Sequence, residues 1–267
     1  MIALTYPRQG GAFVAGGGVV GNALVRKFAA AGLPVAFSYV NSQERAEALS
    51  RELRESGATV RALRVDLRES AAVQAALAEA EQAFGRLHTV VYAAGPMLQF
   101  LPVRSLPPEQ VEQFLLGDTM CCYRLFHYAI PHLVRGGGGS LVACATLANA
   151  RVIDNDALSA MPKAAVESLV RQIAAEEAPN GVRCNAIAIG WLGGWATTFE
   201  EARAAVAQMP PEVAATVSPM IEQMIGLIRM GRPGSGESAA DLIAYLASDQ
   251  ASYVTGRTVA VDGGASL

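Results

Sequence analysis

The chain has 267 residues, 52% of them hydrophobic and 17% charged, with a formal net charge of −3 at pH 7. This composition supplies a large core with apolar surface left over for subunit contacts, and it argues against nucleic acid as a partner, because phosphate binding needs a basic patch. No apolar run reaches the length of a membrane helix, and Arg8 follows a short, interrupted apolar stretch unlike a secretory leader, so a cytoplasmic protein with no membrane partner is expected.

Strand-like runs fall at 12–15, 35–39, 60–65, 89–92, 141–145, 183–189 and 258–261. Amphipathic, helix-length stretches lie between them at 22–31, 43–56, 71–84, 111–134, 163–177 and 237–248. Strands alternating with helices predict an α/β fold: a doubly wound parallel sheet of Rossmann type, in three layers with helices on both faces. No linker-like tract or internal repeat interrupts it, so residues 1–267 are read as a single domain. In such a sheet ligands bind beyond the carboxyl ends of the strands, so functional residues are sought there.

A glycine-rich turn, Gly16-Gly17-Gly18-Val19-Val20-Gly21, joins the first strand to the first helix. Glycines there let the backbone approach a pyrophosphate, whose charge meets the helix N-terminus. The four cysteines, Cys121, Cys122, Cys144 and Cys184, have no metal-ligand spacing and read as buried free thiols, and no metal site is expected. His88, His127 and His132 are dispersed and read as structural or surface residues.

Taken with Asp66 after the third strand, Lys163 with its Ala164-Ala165-Val166-Glu167-Ser168-Leu169 helix, the stretch from Leu246 to Gly256 and the closing Val261-Asp262-Gly263-Gly264, the turn resembles the short-chain dehydrogenase/reductase family. The resemblance covers about 11–264. It implies a nicotinamide dinucleotide cofactor and a Tyr-x-x-x-Lys catalytic pair supported by a serine and an asparagine.

Several positions depart from that pattern. The glycine turn fits Gly-x-x-x-Gly-x-Gly in two registers. In one, Gly17, Gly21 and Ala23 keep the spacing; in the other, Gly16 and Gly21 are the outer glycines, Val19 replaces the middle one and the loop is a residue short. The distance from Gly21 to Ala31-Gly32 favours the second, and a valine there crowds a diphosphate. By the resemblance, Gly16, Gly17, Gly18, Gly21, Asp66, Gly95, Lys163 and Gly190 contact the cofactor, Asp66 at the adenine. Tyr92-Ala93-Ala94-Gly95 replaces an Asn-Asn-Ala-Gly, and Ile189-Gly190 a Pro-Gly. The second strand ends without an acid to hold a ribose hydroxyl, whereas Asn41, Ser42 or Arg45 accommodates a 2′-phosphate. NADP(H) is therefore favoured over NAD(H), with no cofactor at all if the shortened loop blocks it.

At the reaction end, Thr146 matches the serine, Lys163 the lysine, Asp118 the asparagine and Ser159 the tyrosine; no tyrosine occurs between Tyr128 and Tyr245. A phenol's pKa of about 10 can be drawn toward neutrality by a neighbouring ammonium. An aliphatic hydroxyl is far less acidic, and general acid–base catalysis commonly supplies roughly 10²–10⁴-fold in rate, most of which Ser159 alone forfeits. Because Pro162 suits a helix's first turn, Ser159 is read as the N-cap of the Lys163 helix in preference to a catalyst. An Asp118–Lys163 ion pair, with Thr146 and a water, is the expected substitute for the lost relay.

The segment from Gly190 to Arg229 holds Trp191, Trp195, Phe199, Met209, Met220 and Met224, a composition suited to an apolar ligand. By the resemblance, residues 191–230 form a substrate lid, and the chain assembles into dimers or tetramers. Two functions follow: an oxidoreductase of an apolar carbonyl or alcohol with non-standard acid catalysis, or a redox-inactive homologue that binds a ligand or partner subunit or runs a non-redox step.

Overall fold

The structure is a computed structural model that describes residues 4–96, 99–193 and 196–267. Its strands are β1 (Gly11–Ala15), β2 (Val35–Tyr39), β3 (Val60–Arg64), β4 (Leu87–Tyr92), β5 (Gly139–Thr146), β6 (Val182–Ile189) and β7 (Thr258–Val261). They form one sheet in the order β3-β2-β1-β4-β5-β6-β7, and every pairing is parallel. The expected Rossmann-type α/β architecture is present. The central strands β1, β2 and β4 are buried along their whole length, which is why their sequences are continuous apolar runs rather than alternating ones.

One core lies under α3 (Ser70–Phe84), α5 (Met120–Arg135) and α6 (Ala157–Glu177), joined by Phe13, Tyr92 and Phe126. The other lies under α1 (Val19–Ala30), α2 (Gln43–Glu55) and α9 (Gly236–Ala247), around Val14, Phe28 and Phe37. The strand order turns between β1 and β4, placing the loops after both strands at one switch point.

Three stretches differ from the sequence expectation. The helix expected over 111–134 is split into α4 (Pro108–Phe114), a π-helical turn at Leu115–Thr119 and α5. The inserted turn carries Asp118, and such turns mark functional positions in helices. The stretch 190–229 contains α7 (Phe199–Ala207) and α8 (Pro211–Leu227), the first opened by a capping box between Thr198 and Glu201.

Third, α6 begins six residues before Lys163, which overturns the capping role of Ser159. The N-cap position belongs to Asp156, whose carbonyl accepts the amides of Ser159 (3.1 Å) and Ala160 (3.0 Å). Ser159 is inside the first turn and buried, and Pro162 sits beyond that turn. The ring removes one backbone bond from the helix, whose residues Leu158, Pro162 and Val166 are all buried.

Candidate active site

The loop after β1 is shaped by two glycines. Gly16 has φ 120°, and a Cβ on it would stand 2.5 Å from the Ala93 carbonyl oxygen. A Cβ on Gly21 would stand 1.9 Å from the carbonyl oxygen of Gly16. Gly17 and Gly18 have no such crowding. The obligatory pair is thus Gly16 and Gly21, the outer glycines of the shortened register. Gly18 is the N-cap of α1 without a side-chain cap, and no acid lies in the first turn. Its leading amides are therefore open to an anion. Val19, the first residue of the helix, is half exposed. The Gly16 amide donates to Ser38 Oγ (3.1 Å), tying the turn to the end of β2.

Asn41 is exposed just beyond β2. Asp66 follows β3 and is gripped by Arg68 through bonds of 2.6 to 3.1 Å, which hold its carboxyl below the ordinary carboxylate range.

Beyond the carboxyl ends of β4, β5 and β6 lies a cavity of about 480 Å³. Gly95, Asp118, Thr146, Ser159, Lys163 and Gly190, drawn from five separate parts of the chain, all line it. Most of the remaining lining is apolar, including Phe100, Ile153, Trp191, Met220 and Met224. Trp191 stacks on Phe199 with centroids 6.1 Å apart. Gly16, Gly17, Gly18, Gly21, Asn41 and Asp66 do not line the cavity. Trp195 falls outside the described residues. Among the described residues no tyrosine lines the cavity.

The expected ion pair is formed. Lys163 Nζ donates to Asp118 Oδ1 at 2.8 Å, with the two side chains 11% and 4% exposed. Asp118 is thus buried rather than solvated on a helix face. A third member was missed by sequence reasoning: the fully buried Tyr92 hydroxyl donates to Asp118 Oδ1 (2.8 Å) and approaches its carbonyl oxygen (3.0 Å). The Tyr92 ring lies 4.9 Å from Lys163 Nζ, within cation–π reach. Burial, then the charge of Asp118, pushes the phenol well above its usual pKa, so Tyr92 stays a fixed donor. The Thr119 hydroxyl donates to the Pro162 carbonyl (2.9 Å), joining the π-helical turn to α6. Tyr92, Asp118 and Lys163 therefore hold each other in one geometry, and the carboxylate and ammonium neutralise each other at a largely buried position on the cavity wall.

Thr146 ends β5; its Oγ1 accepts the Ala148 amide at 3.3 Å, leaving its own hydroxyl proton to donate. Asp156, also missed, is buried on the cavity wall, and burial raises its pKa from 3.8 to about 6. The four cysteines are buried free thiols, as expected. His88 is buried, with its pKa lowered to about 4. Among the described residues no cluster suited to a metal is present, and no helix is long and apolar enough to cross a membrane.

A parallel sheet with a glycine turn at its switch point, and a cavity holding a threonine and a lysine at the strand ends, defines a dinucleotide-fold protein of the dehydrogenase type. A family model described as enoyl-(acyl carrier protein) reductase matches residues 14–266, and the chain belongs to the short-chain dehydrogenase/reductase family, whose members are nicotinamide-dependent oxidoreductases.

Among its relatives, a cis-4-hydroxycyclohexanecarboxylate dehydrogenase of Sinomonas cyclohexanicum is 32% identical over 249 residues, covering 92% of this chain and 91% of the relative. A 3-oxoacyl-(acyl-carrier-protein) reductase of Staphylococcus aureus is 28% identical over 248 residues, covering 92% and 93%. A solved short-chain dehydrogenase/reductase of Serratia marcescens superposes with a TM-score of 0.82 at 29% identity, covering 98% of this chain and 100% of that one.

Proposed function

We propose that the chain is an NADP(H)-dependent oxidoreductase of an apolar carbonyl or alcohol, with acid–base chemistry adapted to Ser159 at the family's tyrosine position. The observation that carries this reading is the meeting of Thr146, Lys163, Gly95 and Gly190 on a cavity whose remaining lining is mostly apolar. A nicotinamide dinucleotide held in this site would supply or accept a hydride. Gly16, Gly17, Gly18 and Gly21 with the open N-terminus of α1 suit its phosphates, Asn41 with Ser42 and Arg45 a 2′-phosphate, and Asp66 the adenine. Lys163 suits the nicotinamide ribose and Gly190 the ring's surroundings.

What is left to the side chains is proton delivery. Thr146 holds the substrate oxygen with its hydroxyl. Lys163, fixed by Asp118 and Tyr92, passes a proton to that oxygen through a water. Residues 191–230 serve as the lid over an apolar substrate. The chain works as a cytoplasmic homo-oligomer, a dimer or tetramer. Exposed apolar residues on the edge strand β7, Val259 and Ala260, support that assembly.

A second reading has its own support. With no tyrosine on the described cavity wall and the Lys163 ammonium already committed to Asp118, the site also suits a redox-inactive homologue that binds a ligand. Reduction of a panel of aromatic and aliphatic ketones by NADPH separates the two. Ser159→Tyr is expected to raise the rate by at least about tenfold, and no gain on any ketone favours the redox-inactive reading.

A further inference from the structure

The cavity contains one carboxyl oxygen that has no hydrogen-bond partner among the described residues. Asp156 is 7% exposed, lines the cavity, and its Oδ1 accepts no hydrogen bond. Its placement is fixed by the backbone. Asn155 just before it adopts φ 65°, a left-handed conformation that asparagine tolerates. The Asn155 carbonyl accepts the Leu101 amide at 2.9 Å, and the Asp156 amide donates to Ile153. A turn under this constraint beside a cavity is a common device for aiming a functional group.

Among the described residues no cation pairs with this carboxyl. Arg151, the basic residue nearest in sequence, donates to the carbonyls of Ala265 (3.4 Å) and Leu267. Lys163 is bound to Asp118. The other titratable group on the cavity wall is Cys144, a thiol that burial holds protonated, with a pKa near 12. The lining contributed by α8 and by the loop after β6 carries no ionisable side chain. Asp154, two residues away, is exposed. Burial is the cause that lifts the Asp156 pKa to about 6, so above that pH the carboxyl is an anion without a counter-ion. The cavity then holds two carboxylates and one ammonium within largely apolar walls.

We infer that Asp156 is the recognition group for an organic cation: the natural ligand is an apolar amine whose ammonium bonds to the Asp156 carboxylate while its hydrocarbon body lies against Ile153, Trp191, Met220 and Met224. An ammonium supplies both things the site lacks, a donor for Oδ1 and a positive charge. A neutral hydroxyl supplies only the first, and a ligand carboxylate meets repulsion. The inference rests on the proposed reading of this cavity as the substrate site, and it narrows the substrate to an amine-bearing carbonyl or alcohol.

The test is calorimetric titration of the whole chain with three probes of matched size: 4-phenylbutylamine, 4-phenylbutanol and 4-phenylbutanoate. The amine is expected to bind at least about tenfold more tightly than the alcohol, and the acid more weakly than both. Asp156→Asn, which keeps the shape, should reduce amine affinity by about tenfold and leave alcohol affinity within about threefold. In the unchanged protein, amine affinity should rise between pH 5 and pH 7 as the Asp156 carboxyl, with its pKa of about 6, ionises. The alcohol should show no such rise.

Equal affinity for amine and alcohol, no detectable amine binding at millimolar concentration, or a preference that survives Asp156→Asn overturns the inference. A parallel titration with NADPH keeps the two failures apart. Amine binding without NADPH binding removes the oxidoreductase reading alone, and NADPH binding without amine preference removes this one alone.

Discussion

Replacing Asp118 by alanine strands the Lys163 ammonium in the core. The carboxylate accepts bonds of 2.8 Å from both Lys163 Nζ and the Tyr92 hydroxyl, and the Lys163 side chain is only 11% exposed. Removing one partner of such a buried pair costs about 3–5 kcal/mol, because the remaining charge is uncompensated. For a chain of this size that corresponds to a fall in melting temperature of roughly 6–20 °C. The assay is urea denaturation of Asp118→Ala, Lys163→Met and the double variant. Removing both charges should recover part of the loss, with a coupling of at least about 2 kcal/mol. Additive losses, or a cost below about 1 kcal/mol for Asp118→Ala, refute the claim that this pair organises the site.

Tyr92→Phe deletes a hydrogen bond to a charged acceptor and should cost about 1.5–3 kcal/mol, and much less when Asp118 is already alanine. Asp156→Asn tests the buried carboxyl through stability. Its pKa is raised from 3.8 to about 6 in the folded chain, so folding is penalised as pH rises through that window, by ~3 kcal/mol once above it. The asparagine variant should gain up to that amount over the wild type at pH 7 and nothing below pH 4. His88, lowered to about 4 by burial, acts with the opposite sign in an overlapping window, so the readout is variant minus wild type across pH. Gly18→Asp fills open space at the uncapped start of α1 and should stabilise the fold by about 0.5–1 kcal/mol. The same change should weaken NADPH binding by at least about tenfold, because the new carboxylate takes the amides and repels the diphosphate. Unchanged NADPH affinity places the phosphates elsewhere.

The sheet was legible because its buried parallel strands read as apolar runs such as 35–39 and 183–189, and the helices between them by their amphipathic spacing. Thr146, Lys163, Asp118, Gly95 and Gly190 were placed by their spacing in the family pattern, and they meet on one cavity. The π-helical turn at Leu115–Thr119 was not legible, since an added residue in a helix leaves the apolar pattern nearly continuous. The start of α6 was not legible, since proline favours a helix's first turn, whereas Pro162 sits buried beyond it.

Tyr92 carries a readable signal: a phenol inside a buried apolar strand usually finds a hydrogen-bond partner. Asp156 had none. Within Asp154-Asn155-Asp156 it looks like an exposed polar turn, and the cavity it lines is completed by residues distant in sequence, from α8 and the segment after β6.

The central claim, that this chain keeps a working dinucleotide site around an altered proton-delivery group, is tested most directly by titrating it with NADPH and NADH while following cofactor fluorescence. The account predicts saturable binding below millimolar concentration, tighter for NADPH than for NADH. No binding of either cofactor at millimolar concentration contradicts it.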